Sequence, residues 1–257
     1  MILGTSRAAQ GLNPDELNKH LGRDDMFNYS FTNEHSPYGK VYFESVQRKL
    51  APGSEGIFIL SVDPWCLGAD KSDPNNESLF RENDLMLDGM WDVNSSPNFL
   101  YLLKYYDGSY YDLVMRHWDN QLMLQENGWL KVNVPTDSAS VLKRTKERIR
   151  IYREETAPNY ALSDVRFSYL EKIIDLLSNH GEKVLVRLPV SREMLLLEDE
   201  YFPQFNERLK AFADKNNVLY IDMTSESGQF KYTDGNHLAQ ESVPMVCKML
   251  ADRIKAN

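Results

Sequence analysis

At 257 residues the chain has room for one large α/β domain, or for one domain carrying a sizeable insertion. Its 29 basic against 38 acidic residues leave a net charge of −9, which argues against a nucleic-acid or anionic-membrane surface. Two cysteines, Cys66 and Cys247, make no disulfide framework, and no CxxC, HExxH, EF-hand, Walker A or GxGxxG pattern occurs, so neither a metal nor a nucleotide cofactor is signalled.

The chain opens with Ile2-Leu3-Gly4-Thr5-Ser6-Arg7, a short apolar run that delivers a serine to a glycine-flanked turn. Such a serine is either a nucleophile at the carboxyl end of a strand or an ordinary loop residue. Only Met1, Ile2 and Leu3 precede the glycine, short of the roughly 5–6 residues of a core strand. That shortness leads us to expect an upstream segment, a membrane anchor or an export signal; the alternative is a compact native start. Asn13-Pro14-Asp15-Glu16 starts a helix that Gly22 closes.

Met26–Phe31 reads as a second strand and 38–50 as a helix ending before Pro52-Gly53. Gly56–Val62 is a continuous apolar run, the mark of a strand buried on both faces, and Lys183–Leu188 and Val218–Ile221 repeat it. Helices over 163–179, 203–215 and 239–255 flank these runs. Alternation of this kind predicts an α/β fold with a five-stranded parallel sheet covered on both sides, its ligand crevice at the carboxyl ends of the strands. Residues 64–135 break the rhythm and hold all four tryptophans, Trp65, Trp91, Trp118 and Trp129. We expect an insertion packed over the crevice mouth, with a hairpin over Gln121–Val134 turning at Glu126-Asn127-Gly128; the alternative is that its aromatic residues form only a small core of their own.

Near the other end, Tyr232-Thr233-Asp234-Gly235-Asn236-His237-Leu238 precedes the last helix. A histidine three residues after an aspartate can receive the carboxylate at Nδ1 and keep Nε2 free, the base and orienter of a Ser-His-Asp triad. The alternative is that Asp234 caps the helix and His237 only packs. With the last loop beside the first, Nε2 would face Ser6 Oγ.

GTSRA at 4–8 together with DGNHL at 234–238 resembles the SGNH/GDSL hydrolase superfamily. The resemblance implies a three-layer α/β/α, flavodoxin-like fold over 1–257, with 64–135 as an insertion outside it. It implies Ser6, His237 and Asp234 as the catalytic set, and an oxyanion hole drawn from Ser6, Ser30 and the position of Asp63. The GTSR opening is similar to the branch related to polysaccharide O-acetyltransferases and cell-envelope proteins. The expected function is a serine-dependent esterase or O-acyltransferase acting without a cofactor on small acyl esters, acetyl esters of carbohydrate above all, in the cell envelope. The competing expectation is a glycan-binding or envelope-assembly protein that keeps the fold without catalysis.

Two departures bear on that choice. Ser30 stands where the family offers a glycine amide, and in Ser61-Val62-Asp63-Pro64 the aspartate replaces an asparagine donor. A carboxylate there would repel a developing oxyanion, and losing one such donor costs roughly 3 kcal/mol. Among the other histidines, His20 and His180 sit at predicted helix ends, His117 lies in the insertion, and His35 follows the second strand as a candidate crevice residue. Arg187 ends the fourth strand, where it would bind a substrate carboxylate or uronate, or pair with a local acid.

Overall fold

Phe58-Ile59-Leu60 and Val184-Leu185-Val186 are apolar at every position, and only a sheet covered on both faces accommodates such runs. In a computed structural model, which describes residues 1–53, 55–106 and 121–257, they form the middle of a parallel sheet. Its strands are β1 (Ile2–Gly4), β2 (Asn28–Ser30), β3 (Gly56–Ser61), β4 (Gly181–Arg187) and β5 (Leu219–Asp222), in the order β2-β1-β3-β4-β5. This is the flavodoxin-like doubly wound order, whose ligand crevice opens where the winding reverses, at the carboxyl ends of β1 and β3.

The helices that position the site are α1 (Ser6–Gly11), α2 (Pro14–Leu21), α3 (Lys40–Lys49), α4 (Ser138–Ile151), α5 (Asp164–Leu177), α6 (Arg192–Tyr201), α7 (Phe205–Lys215) and α8 (Val243–Lys255). Successive strand side chains go to opposite faces. Ile2, Ile59, Val184, Val186 and Ile221 pack against α1, α2 and α8. Leu3, Phe58, Leu60 and Leu185 pack against α3, α5 and α7. The three layers follow from that alternation.

The excursion after β3 reaches further than the expected boundary at 135. Gly68–Asp70 pairs antiparallel with Tyr160–Leu162, so the main sheet is not resumed until after residue 162. Trp65 belongs to the main core, edge-on to Tyr152 (4.6 Å) and Phe202 (5.3 Å). A buried bidentate pair, Arg166 Nη1 to Glu82 Oε1 at 2.7 Å and Nη2 to Oε2 at 3.1 Å, ties residues 81–84 to α5. The hairpin forms from Leu122–Leu124 and Leu130–Val132, with Gly128 at φ +83° in its turn. That turn caps the free edge of β2: Asn28 N donates to Asn127 O at 2.9 Å, and a Cβ on Gly128 would strike Asn28 O. Trp129 lies there too, its Nε1 donating to Gln10 O at 2.9 Å, whereas Trp91 is largely exposed. His117 and Trp118 lie outside the described residues.

Candidate active site

β1 ends at Gly4, whose φ of +148° and whose approach to Ser61 Cβ and Ala8 Cβ leave no room for a side chain. The chain turns sharply there, and Ser6 becomes the first residue of α1 at the carboxyl edge of the sheet. Its backbone N–H heads a helix and has no intrahelical acceptor.

The loop before α8 brings the second half. Gly235 takes φ +79° against Thr145 and Ser191, which a Cβ would hit. This tight turn lets one carboxylate oxygen, Asp234 Oδ1, accept the backbone N–H groups of Asn236 (3.0 Å) and His237 (2.9 Å). Asp234 Oδ2 lies 2.9 Å from His237 Nδ1, and His237 Nε2 lies 2.8 Å from Ser6 Oγ. With Nδ1 donating to the carboxylate, Nε2 is the acceptor that faces the serine hydroxyl. Burial alone would raise the Asp234 pKa, but the hydrogen bond and charge of His237, the Arg148 guanidinium and the His237 amide together hold the carboxyl well below its usual range. It is an anion throughout the neutral range.

Beneath these residues lies a buried polar network that no local motif announces. Arg7 donates through Nε (3.0 Å) and Nη2 (2.6 Å) to Asn236 Oδ1, and through Nη2 to Glu198 Oε1 at 2.5 Å. Glu198, on α6, also accepts from Trp65 Nε1 at 2.9 Å and from Arg187 Nη2 at 3.0 Å. Burial would push the Glu198 pKa up; the charges and hydrogen bonds of the two arginines outweigh it and hold the carboxyl down. From α4, Arg148 bonds Asp234, and Arg144 Nε donates to Thr233 O at 2.8 Å. Sequence patterns assign a role to none of Arg7, Asn236, Glu198 and Arg148; Arg7 and Asn236 stand inside the GTSRA and DGNHL motifs, and that placement is the available signal for them.

One expectation changes, for the Ser30 amide, and Asp63 and Arg187 each resolve between their alternatives. The Asp63 side chain accepts: its Oδ1 takes Trp65 N and Cys66 N, both at 2.9 Å, closing the turn after β3, and its Oδ2 stands 3.8 Å from Arg7 Nε. It therefore stabilises a turn and a cation and is no oxyanion donor. The Ser30 amide points the wrong way. In a parallel ladder alternate residues face a given neighbour; Phe31 N reaches Gly4 O and Asn28 N reaches the hairpin, so Ser30 N–H faces away from β1. Its hydroxyl is buried without a protein partner, on the α1 side that the Asn28 side chain also faces. Arg187 is buried in the pair with Glu198 and is no ligand for a substrate carboxylate. His35 sits in the loop after β2 with Nδ1 2.7 Å from Thr32 Oγ1, and burial lowers its pKa.

A cavity of about 470 Å³ shares Arg148 with this site. Asn33 and Glu34 line one wall, in the loop that Ser36 Oγ ties to Gly4 O at 2.8 Å. Arg148 and Tyr152 line another, and Phe80 and Tyr160 contribute rings. The arginines on its surface are each matched by an acid: Arg81 with Glu34 (2.6 Å), Arg166 with Glu82, and Arg148 with Asp234.

No protein-family model matches the chain, and no curated protein matches it. Among solved structures it is similar to the inhibitor-bound aryl esterase of M. smegmatis, over 99% of this chain and 97% of that one, at 9% identity and a TM-score of 0.43. It is also similar to a chain from Bacteroides fragilis assigned as an acylhydrolase, over 35% of this chain and 52% of that one, at 24% identity and a TM-score of 0.26.

Proposed function

We propose that this protein is a serine-dependent ester hydrolase or O-acyltransferase working through Ser6, His237 and Asp234. The observation that carries the reading is the unbroken chain from Ser6 Oγ through His237 to the Asp234 carboxylate, at the crevice end of the sheet. Ser6 Oγ attacks the ester carbonyl carbon, its proton passes to His237 Nε2, and the carbonyl π electrons move to oxygen. Collapse breaks the bond to the alcohol, which leaves with the proton from Nε2. An acyl-Ser6 remains for water, or for a second hydroxyl, to take up by the same steps in reverse. Asp234 keeps Nδ1 protonated and stabilises the imidazolium.

The likeness of its two end motifs to the SGNH/GDSL superfamily supports a small acyl group and a carbohydrate alcohol, in the cell envelope. The cavity beside Arg148 supports the same alcohol. Its charges are internally balanced, it offers rings for C–H faces, and the buried Asn33 Oδ1 has no protein partner to compete with a hydroxyl. No helix among the described residues is long and apolar enough to cross a membrane.

The test is reaction of the purified protein with a fluorophosphonate probe, alongside hydrolysis of p-nitrophenyl acetate and of an O-acetylated methyl glycoside. Labelling and turnover that both disappear in Ser6→Ala support the enzyme. A protein that is inert in all three assays yet binds the glycoside supports the glycan-binding alternative, which the carboxylate at Asp63 favours.

A further inference from the structure

Every acyl transfer of this type needs donors for the oxyanion, and the residues expected to provide them do not all do so. The Asp63 side chain is turned onto Trp65 N and Cys66 N, and the Ser30 amide faces away from β1. The Ser6 N–H remains, at the head of α1. We infer that the side-chain amide of Asn236 is the second oxyanion donor; this rests on the reading of Ser6 as the nucleophile.

The orientation of that amide is settled by what surrounds it. A guanidinium only donates hydrogen bonds. The Asn236 atom that faces Arg7 Nε and Nη2 is therefore the oxygen, and the NH₂ group is left facing the other way. There it lies 3.2 Å from His237 Nε2, the nitrogen that also meets Ser6 Oγ at 2.8 Å. Glu198 and Asp63 hold Arg7, so the arginine cannot swing off the amide without leaving two buried carboxylates short of a partner. The backbone is fixed as well, by the Asn236 N–H on Asp234 Oδ1. Asn236 is 4% exposed, so water does not compete for the NH₂ group to any extent.

In the resting state Nε2 is an acceptor, and the Asn236 NH₂ and the Ser6 hydroxyl both point at it. When Ser6 attacks, Nε2 takes the serine proton and becomes a donor. The amide N–H then loses its acceptor in the same step that creates an oxyanion on the carbon bonded to Oγ. A donor already in place is released to the new charge as it forms. Such an interaction is stronger in the transition state than in the ground state, and that difference accelerates the chemical step. Asn236 would thus replace the asparagine amide that the superfamily keeps after its third strand, delivered in this chain from the residue next to the histidine.

Asn236→Asp tests this with little change of shape, because it retains an oxygen for Arg7 and removes the NH₂ donor. Asn236→Leu removes the donor without adding charge. Both should lower kcat for p-nitrophenyl acetate by roughly 10²–10³-fold, the loss found for a single oxyanion donor, with KM within about threefold of wild type. A trifluoromethyl ketone, which binds as a hemiketal oxyanion, should lose affinity in parallel with kcat; a purely structural role would not link the two. Thermal unfolding shows which variant is folded, and either folded variant suffices. A folded variant with kcat near wild type, or with unchanged ketone affinity, overturns the assignment to Asn236 while leaving the serine reading intact. Wild-type protein that neither turns over ester nor takes up fluorophosphonate overturns both.

Discussion

Arg148 and His237 share one oxygen atom. Arg148 Nη2 and Nε lie 3.0 and 3.2 Å from Asp234 Oδ2, and His237 Nδ1 lies 2.9 Å from the same oxygen. The carboxylate that orients the imidazole is itself oriented by a cation from α4, a helix outside the layers that cover the sheet. Arg148 also lines the cavity of about 470 Å³, so on the proposed reading it links that space with the carboxylate end of the chain from Ser6 through His237 to Asp234.

Arg148→Gln should therefore reduce kcat without unfolding the protein. The Arg148 side chain is 39% exposed, so solvent and salt screen the pair. The loss should be modest, about two- to fivefold, the equivalent of a partly exposed ion pair. Arg148→Lys keeps the charge but gives up the two-pronged contact, and should fall between wild type and Arg148→Gln. Steady-state kinetics at low and high salt check this: the gap between wild type and Arg148→Gln should narrow as salt rises. A gap that is constant with salt would remove the electrostatic role.

Asp234→Asn should be far more damaging. Asp234 Oδ1 accepts two backbone N–H groups, so the oxygen of an asparagine stays there and its NH₂ takes the place of Oδ2. That NH₂ would face His237 Nδ1 and force it to accept, moving the ring proton to Nε2, where it opposes the Ser6 hydroxyl. This is the wrong tautomer for a base, and kcat should fall about 10⁴-fold. The same substitution reports on stability. The folded Asp234 pKa lies below its ordinary 3.8, so its ionisation stabilises the folded protein above that value and is progressively lost as pH falls below it. Urea denaturation should show wild type more stable than Asp234→Asn at pH 6, with the difference shrinking below about pH 4. A difference that grows towards acid would mean that folding raises the Asp234 pKa instead of lowering it.

Much of the sheet and of the two end motifs is legible locally, and the rest of the site is not. Gly56–Ser61 and Gly181–Arg187 carry their strand character in their own composition, and the predicted edges differ from the observed ones by one or two residues. GTSR and DGNH each encode a turn, which short-range chemistry can announce. α4 offers no such signal: it buries only Thr145, so no apolar stripe marks it, although Asp137 caps its start through Ser140 N. Glu198 shows the same difficulty in the core. A glutamate among the leucines of α6 looks solvated until Arg7, Arg187 and Trp65 arrive from elements far away in sequence. The position of Asp63 is legible, whereas its partner Arg7 is 56 residues distant and defined only by the fold.

Glu198→Gln should be among the most destabilising single substitutions in the chain. It removes the one carboxylate that joins two buried guanidiniums, and it leaves Arg187 with Nε already short of a partner. Breaking a buried pair by removing one member costs about 3–5 kcal/mol. Chemical denaturation should show that loss as a lower midpoint with little change in slope. Stability within about 1 kcal/mol of wild type would mean that water or rearrangement relieves the charges, and that Arg7 is less firmly held than its contacts imply.

Asp63→Asn separates a structural carboxylate from a catalytic one. The asparagine oxygen can keep both turn contacts, to Trp65 N and Cys66 N, while its NH₂ would face Arg7. Arg7 retains Glu198 and Asn236 Oδ1, so its position should hold and the Asn236 amide should keep its aim. We expect kcat within about threefold of wild type and a stability loss of roughly 1–2 kcal/mol from the weakened contact with a buried cation. Asp63→Ala should lose more, because two backbone N–H groups are then left buried without acceptors, each costing about 1–3 kcal/mol. The comparison is made by denaturation and by steady-state turnover on the same preparations. If Asp63→Asn instead abolishes turnover in a protein that melts like wild type, the carboxylate acts directly in the reaction. Its contacts to the turn and to Arg7 would then describe only the resting enzyme.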